Sequence, residues 1–181
     1  MSLTFLNSTA YIASFVLKKG ELILFRLPGI APSASLEVPL NEVYEVTAST
    51  IIDGNTFTSA PVSLNGATRF LAQVMQDASQ GTYVFNVVQS PSTVAEQLQF
   101  EKTCLGPVTF NLLQNGRWLQ SVVVANTFEM ITLDMGLPYR AFAVINGITT
   151  HDVETSIPTA VITAVADNTS SGFGYFSLTT A

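Results

Sequence analysis

The chain has 181 residues and a formal net charge of -6, and only 11% of its residues are charged whereas 48% are hydrophobic. An ordinary soluble domain has about 25% charged residues. This composition excludes a disordered chain, and the absence of Lys/Arg runs argues against a nucleic-acid partner. The single cysteine and single histidine exclude an intramolecular disulfide, a cysteine-cluster metal site and a multi-histidine metal site.

Short β-type runs bounded by turn residues fill the first half of the chain. The runs cover residues 11–17, 22–27, 35–40, 43–52, 57–64, 70–75 and 83–88. Turn signals such as Asp53-Gly54 and Asn65-Gly66 separate them. β-branched and aromatic residues favour a pleated, half-buried surface, and this spacing is typical of an all-β sandwich.

The second half shows the same pattern. Its candidate strands are 98–102, 108–113, 118–124, 128–133, 139–145, 160–165 and 173–179, with Asn115-Gly116 and Asn146-Gly147 among the turns. The only helix signal lies in 92–100, where Thr93 and Glu96 have capping-box spacing. It predicts at most a turn or two of helix, and a strand or an extended linker remains an equal alternative.

Four matched segments in the same order indicate an internal duplication. Residues 25–29 align with 112–116, 38–46 with 122–130, 63–68 with 144–149, and 70–77 with 160–167. We therefore predict two tandem units, 1–91 and 92–181, each a seven-stranded immunoglobulin-like or fibronectin-III-like β-sandwich. A single jelly-roll sandwich built from two related halves is the alternative.

Few residues suit catalysis. His151 adjoins Asp152, but adjacent side chains on a strand point to opposite faces, so the pair is poorly placed for a catalytic triad. Cys104 lies two residues after Lys102, and we expect a buried, inert thiol. We predict that the protein is not an enzyme and uses no metal or other cofactor.

Two pairs of residues are candidates for binding. Arg117-Trp118 follows a predicted hairpin turn, and Tyr139-Arg140 follows Pro138. An exposed aromatic ring beside an arginine is able to grip a sugar ring or anchor a protein partner. For both pairs we favour a structural role over binding, and we expect Trp118 to begin a strand and pack in the core.

The scarcity of charge favours self-association. Residues 103–127 contain one charged residue, Arg117. Sheet edges without charges invite pairing, so we predict a homo-oligomer or contacts with other structural proteins. The leading hypothesis is a non-catalytic structural or assembly protein: a virion component (capsid, tail or decoration protein) or a surface or filament subunit. The alternative is a carbohydrate-binding lectin or adhesin module.

Targeting signals are weak. The apolar segment 1–17 precedes the basic pair Lys18-Lys19, which is the reverse of a secretory signal. Polar residues interrupt every apolar run, so no membrane span is expected. A virion or extracellular location fits the leading hypothesis.

Overall fold

The computed structural model describes residues 1–41, 43–167 and 174–181, and only the backbone of Asp77. Its strands are β1 (Ser2–Asn7), β2 (Ala13–Lys19), β3 (Leu22–Arg26), β4 (Ser35–Pro39), β5 (Tyr44–Ile52), β6 (Asn55–Thr58), β7 (Val62–Leu64), β8 (Thr68–Asp77), β9 (Thr82–Pro91), β10 (Gln97–Lys102), β11 (Val108–Gln114), β12 (Arg117–Val124), β13 (Ile131–Asp134), β14 (Tyr139–Ile145), β15 (Ile148–Thr149), β16 (Val153–Thr155), β17 (Val161–Ala166) and β18 (Phe176–Thr180). No helix occurs in these described ranges, and the predicted all-β class is confirmed. Phe173, where the last predicted strand begins, lies outside the described residues.

The chain folds into two compact units that are not consecutive in sequence. A discontinuous unit consists of Met1–Glu42 and Gly136–Ala181, and a continuous unit consists of Val43–Met135. This division differs from the predicted boundary between residues 91 and 92, which falls inside the continuous unit. β8 and β10 lie on either side of that boundary, yet they pair in parallel within one sheet.

The discontinuous unit contains two sheets. Its mixed sheet has the order β18-β17-β1-β4 and a parallel central pair, β1 and β17. Its antiparallel sheet has the order β15-β14-β2-β3, and β16 also pairs with β14. Phe5 of β1 and Phe15 of β2 join the two sheets, because their ring centroids lie 5.1 Å apart. Alternate residues of β1 are buried, as a strand with one face on a core requires.

The continuous unit also contains two sheets. Its mixed sheet has the order β13-β10-β8-β9 with a parallel central pair, and its antiparallel sheet has the order β12-β11-β5-β6, with β7 also on β5. Phe100 of β10 stacks on Phe70 at 5.5 Å and contacts Phe110 of β11 at 5.2 Å. Its two sheets therefore share an aromatic core, as in a sandwich.

The two units have the same strand plan. The strands β14–β18 followed by β1–β4 reproduce β5–β13 pair for pair, including the parallel central pair. The register shift of β2 with β3 at Leu17 recurs in β11 with β12 at Leu112. Identical buried residues recur 95 positions later: Leu3 and Leu98, Phe5 and Phe100, Phe15 and Phe110, Leu17 and Leu112, Leu24 and Leu119, Ala48 and Ala143.

Each unit therefore combines strands from both halves of the sequence. β1–β4 complete a unit with β14–β18, and β5–β9 complete the other with β10–β13. Each unit has nine described strands, whereas the expectation was seven. The fold is all-β and sandwich-like, but neither the tandem immunoglobulin-like arrangement nor the single jelly roll is confirmed.

The segment with the helix signal forms a turn and a strand. Thr93 bonds through its backbone nitrogen and hydroxyl to Gln99 Oε1, at 3.2 Å in each case, and Glu96 has a φ of 54°. β10 then begins at Gln97. A positive φ at Glu96 is incompatible with a right-handed helix, so the capping-box spacing does not produce one here.

Candidate functional site

The edge of the continuous unit's mixed sheet is a long strand without charged residues. β9 has ten residues and pairs only with β8, without a register shift. It is the longest described strand that ends a sheet. Some other edge strands carry charges: Arg26 in β3, Glu37 in β4, Arg117 in β12, Asp134 in β13 and Glu154 in β16. The edge strands β6, β7, β15 and β18 are also uncharged, but none is longer than five residues. Charges, bulges, prolines and short length are the devices that normally block pairing at an edge, and β9 has none of them before its last residue, Pro91.

Apolar side chains cover the face of the sheet beside this edge. Val84 lies opposite Met75, and Val88 lies opposite Leu71. The exposed fractions of Met75, Val84 and Val88 are 48%, 45% and 45%. Phe85 points to the other face and is buried, as the alternation along a strand requires. We call β9, together with the side chains of Leu71, Met75, Val84 and Val88, the β9 edge.

Trp118 lies at the surface, on β12 of the continuous unit. It is 53% exposed, so it does not pack in the core. Its indole Nε1 donates to Ser121 Oγ at 2.9 Å, and that hydroxyl donates to Asn111 Oδ1 at 2.7 Å. Arg117 begins the same strand opposite Gln114 and is exposed. The hydrogen bonds fix the orientation of the indole ring at the surface.

Tyr139 and Arg140 lie on β14 of the discontinuous unit. Arg140 Nε contacts Glu154 Oε1 at 2.8 Å across the pair of strands β14 and β16. Tyr139 is partly exposed and lies opposite Lys19 and Thr155. The four candidate binding residues therefore divide between the two units.

A pocket of about 440 Å³ lies in the continuous unit, between the ends of its two sheets. We call it the end pocket. It is lined by Ile51, Ile52, Asp53, Val74, Tyr83, Thr103, Cys104, Leu105 and Gly106. These residues come from β5 and its turn, from β8 and β9, and from the loop after β10. Most of the lining is apolar, and Asp53 is its single ionisable carboxyl group.

A buried lysine holds the loop that lines the end pocket. Lys102 is 1% exposed, and its Nζ donates to the carbonyl oxygens of Cys104 at 2.9 Å and Leu105 at 3.4 Å. It also donates to Thr127 Oγ1 at 3.4 Å. We predicted only that Lys102 lies near the thiol. No local pattern in the sequence predicts that Lys102 holds this loop. Asn7 has the equivalent role in the discontinuous unit, where its Nδ2 donates to Tyr11 O at 2.7 Å.

The described residues contain little that suits catalysis or metal binding. His151 and Asp152 are both exposed. In residues 1–41, 43–167 and 174–181, no three His, Cys, Asp or Glu side chains are grouped to hold a metal ion. No helix in the described part of the chain has the length and apolarity needed to cross a membrane. Comparisons with protein-family models, curated proteins and solved structures gave no match.

Proposed function

We propose that the protein is a non-catalytic structural protein that self-associates, and that two copies pair through the β9 edge. The observation that carries the proposal is the ten-residue uncharged edge strand beside an exposed apolar face. Its backbone offers a row of donors and acceptors to a further strand. The exposed valines and Met75 add apolar area that pairing would bury.

A second copy is the partner that fits this edge most simply. An antiparallel pair of identical strands about a two-fold axis is self-complementary. If residue i of one copy lies opposite residue j of the other, then residue j of the first copy lies opposite residue i of the second. The composition of β9 supports the same partner. Each copy has a net charge of -6, but neither copy brings a charged side chain to the paired strands. A virion component or a surface or filament subunit is the setting that this assembly favours.

Placing two lysines on the outer face of β9 tests the proposal. We expect the unchanged protein to form dimers or larger assemblies in light scattering after size exclusion. The double variant Val84→Lys with Val88→Lys should be monomeric at the same concentration, because like charges face each other across the paired edges. Both side chains are nearly half exposed, so the variant should keep its fold.

A matched control is available on another edge strand of the same unit. Val123 of β12 is 55% exposed and lies outside the β9 edge, and Val123→Lys matches the single variant Val84→Lys in added charge. This control should assemble like the unchanged protein. A monomeric unchanged protein at all concentrations, or equal loss of assembly in the control, contradicts the proposal.

The proposal also includes an internal duplication, in which the two repeats of one chain exchanged strands with each other. It accounts for the recurrence of the strand plan and of the buried residues 95 positions apart. The connections from β4 to β5 and from β13 to β14 are four residues long, and short connections favour exchange of elements between repeats. The immunoglobulin-like character of the ancestral unit remains a proposal.

Carbohydrate binding is the second candidate function, and the exposed Trp118 favours it. Sugar rings stack on aromatic faces that are held in a fixed orientation, and Ser121 holds this indole. Arg117 lies beside it on β12, while Tyr139 and Arg140 belong to the other unit. A glycan array should then give hits that Trp118→Ala abolishes, and an array without hits removes this candidate.

A further inference from the structure

We propose that the end pocket is a binding site for a small, uncharged aromatic ligand of the phenol class. The inference is independent of the proposed self-association. Tyr83, which lines the pocket, and Val84 and Val88 of the β9 edge point to opposite faces of β9. Failure of one proposal therefore leaves the other standing.

In the discontinuous unit, the residue that corresponds to Gly106 of the pocket lining carries an aromatic ring. Tyr11 lies edge-to-face on Phe176, with ring centroids 5.8 Å apart and an interplanar angle of 79°. Phe176 lies opposite Ala166 of β17, and its counterpart Phe85 lies opposite Val74 of β8 in the continuous unit. The counterpart of Tyr11 is Gly106, which has no ring to offer.

The backbone hydrogen bonds support this correspondence. The loop between β1 and β2 begins with Ser8 N donating to Ala164 O at 2.9 Å, and the loop between β10 and β11 begins with Thr103 N donating to Ala72 O at 3.0 Å. Both loops have five residues, and Tyr11 and Gly106 each occupy the fourth position. On this shared backbone plan, the fourth loop position therefore carries a ring in one unit and no side chain in the other.

A side chain at residue 106 has little room, so a ring that fills the end pocket must come from elsewhere. A Cβ atom on Gly106 would lie 3.2 Å from Ile51 O and 3.3 Å from Thr50 Oγ1. Residue 106 therefore supplies no side chain to the end pocket, although it lines it. Its volume of about 440 Å³ has room for a substituted ring and lies within the range of small-molecule sites.

The lining selects the chemical class of the ligand. Ile51, Val74 and Leu105 offer apolar contacts, and Tyr83 offers an aromatic face for an offset or edge-to-face pair. Asp53 offers a hydrogen-bond acceptor to a ligand hydroxyl, and it disfavours an anion, as does the net charge of -6. A neutral phenol offers an aromatic ring to the apolar lining and a hydroxyl donor to Asp53, and it carries no negative charge.

The only cysteine in the chain lines the pocket and supplies the readout, because Cys104 is partly exposed, whereas a buried thiol was expected. Alkylation of Cys104 by iodoacetamide is followed by mass spectrometry, with and without p-cresol. At p-cresol concentrations about ten times the dissociation constant from calorimetric titration, alkylation should slow about tenfold. The matched aliphatic alcohol 4-methylcyclohexanol and the anion 4-methylbenzoate should each slow it less than about twofold at the same concentration.

Two variants place the effect in the pocket. Val74→Phe puts a ring into the end pocket and should abolish the effect of p-cresol, whereas the matched Val123→Phe on β12 should retain it. If Val74→Phe fails to fold, Leu105→Ala serves instead, because Leu105 is 94% exposed and its loss should weaken p-cresol binding about fivefold. Absence of p-cresol binding, or equal protection by all three compounds, overturns the proposal.

Discussion

Removing the ring of Phe5 should destabilise one unit and leave the other intact. Phe5 is fully buried, and its ring lies 5.1 Å from that of Phe15 in the facing sheet. Truncation of a buried phenylalanine to alanine costs about 3–5 kcal/mol, because apolar contacts are lost and a cavity remains. A loss of about 4 kcal/mol lowers the protection of amide protons that exchange through unfolding of that unit by about a thousandfold.

Hydrogen exchange with mass spectrometry locates the loss. In Phe5→Ala, protection should fall in β1–β4 and β14–β18, because these strands share the core of the discontinuous unit. Protection in β5–β13 should stay near that of the unchanged protein.

The counterpart Phe100→Ala gives the mirror experiment. Phe100 is equally buried and contacts Phe110 at 5.2 Å, so the expected loss has the same size and falls on β5–β13. A loss in Phe5→Ala that spreads over β1–β9 and spares β14–β18 would show two consecutive units, and it would refute the exchange of strands.

Two further pairs of equivalent positions give smaller effects. Gly54→Ala and Gly147→Ala should each lower the free energy of unfolding by about 1–2 kcal/mol in urea titrations, because φ is +79° and +78° and the added methyl group meets no atom within 4 Å. Ser59→Ala and Thr150→Ala should each cost about 1–3 kcal/mol, since their hydroxyls accept from Ala48 N at 2.9 Å and from Ala143 N at 3.0 Å. Unequal losses in the glycine pair, or no loss in either pair, contradict the equivalence of the two units.

The local features of the fold could be predicted from the sequence. The turns Asp53-Gly54, Asn115-Gly116 and Asn146-Gly147 close two-residue hairpins, and all six residues have positive φ. Asn-Gly and Asp-Gly pairs tolerate this conformation, so the signal needs no tertiary context. The alternating runs likewise predicted most strands near their observed bounds.

The long-range pairing could not be predicted. Of the aligned segments, 70–77 and 160–167 fall on the equivalent strands β8 and β17, but the alignment is wrong by two residues. Phe70 pairs with Phe100 as Ile162 pairs with Phe5. Residues 25–29 and 112–116 do not correspond. Residues 25–29 cover the end of the second strand of a hairpin, whereas 112–116 cover the end of the first strand and the turn in the other unit. Turn residues look alike at either end of a hairpin. Because both halves carry the same strands, local pattern does not decide whether a strand pairs within its half or across.

The candidate sites were only partly visible in the sequence. The missing charges in 83–88 can be read directly, but the position of β9 at a sheet edge depends on which strands pair. Our prediction stressed residues 103–127 instead, which include the edge strand β12. The end pocket draws on segments far apart in the chain, so no local motif marks it.

The pairing of two copies through β9 is tested most directly by the exchange of its own amide protons over a dilution series. On an unpaired edge strand, the amides that point away from β8 exchange rapidly, because no backbone acceptor covers them. We expect these β9 amides to become protected as the protein concentration rises, while those of the edge strand β12 stay unchanged. Protection of β9 that does not depend on concentration, in a protein that light scattering shows to be monomeric, would contradict self-association through this edge.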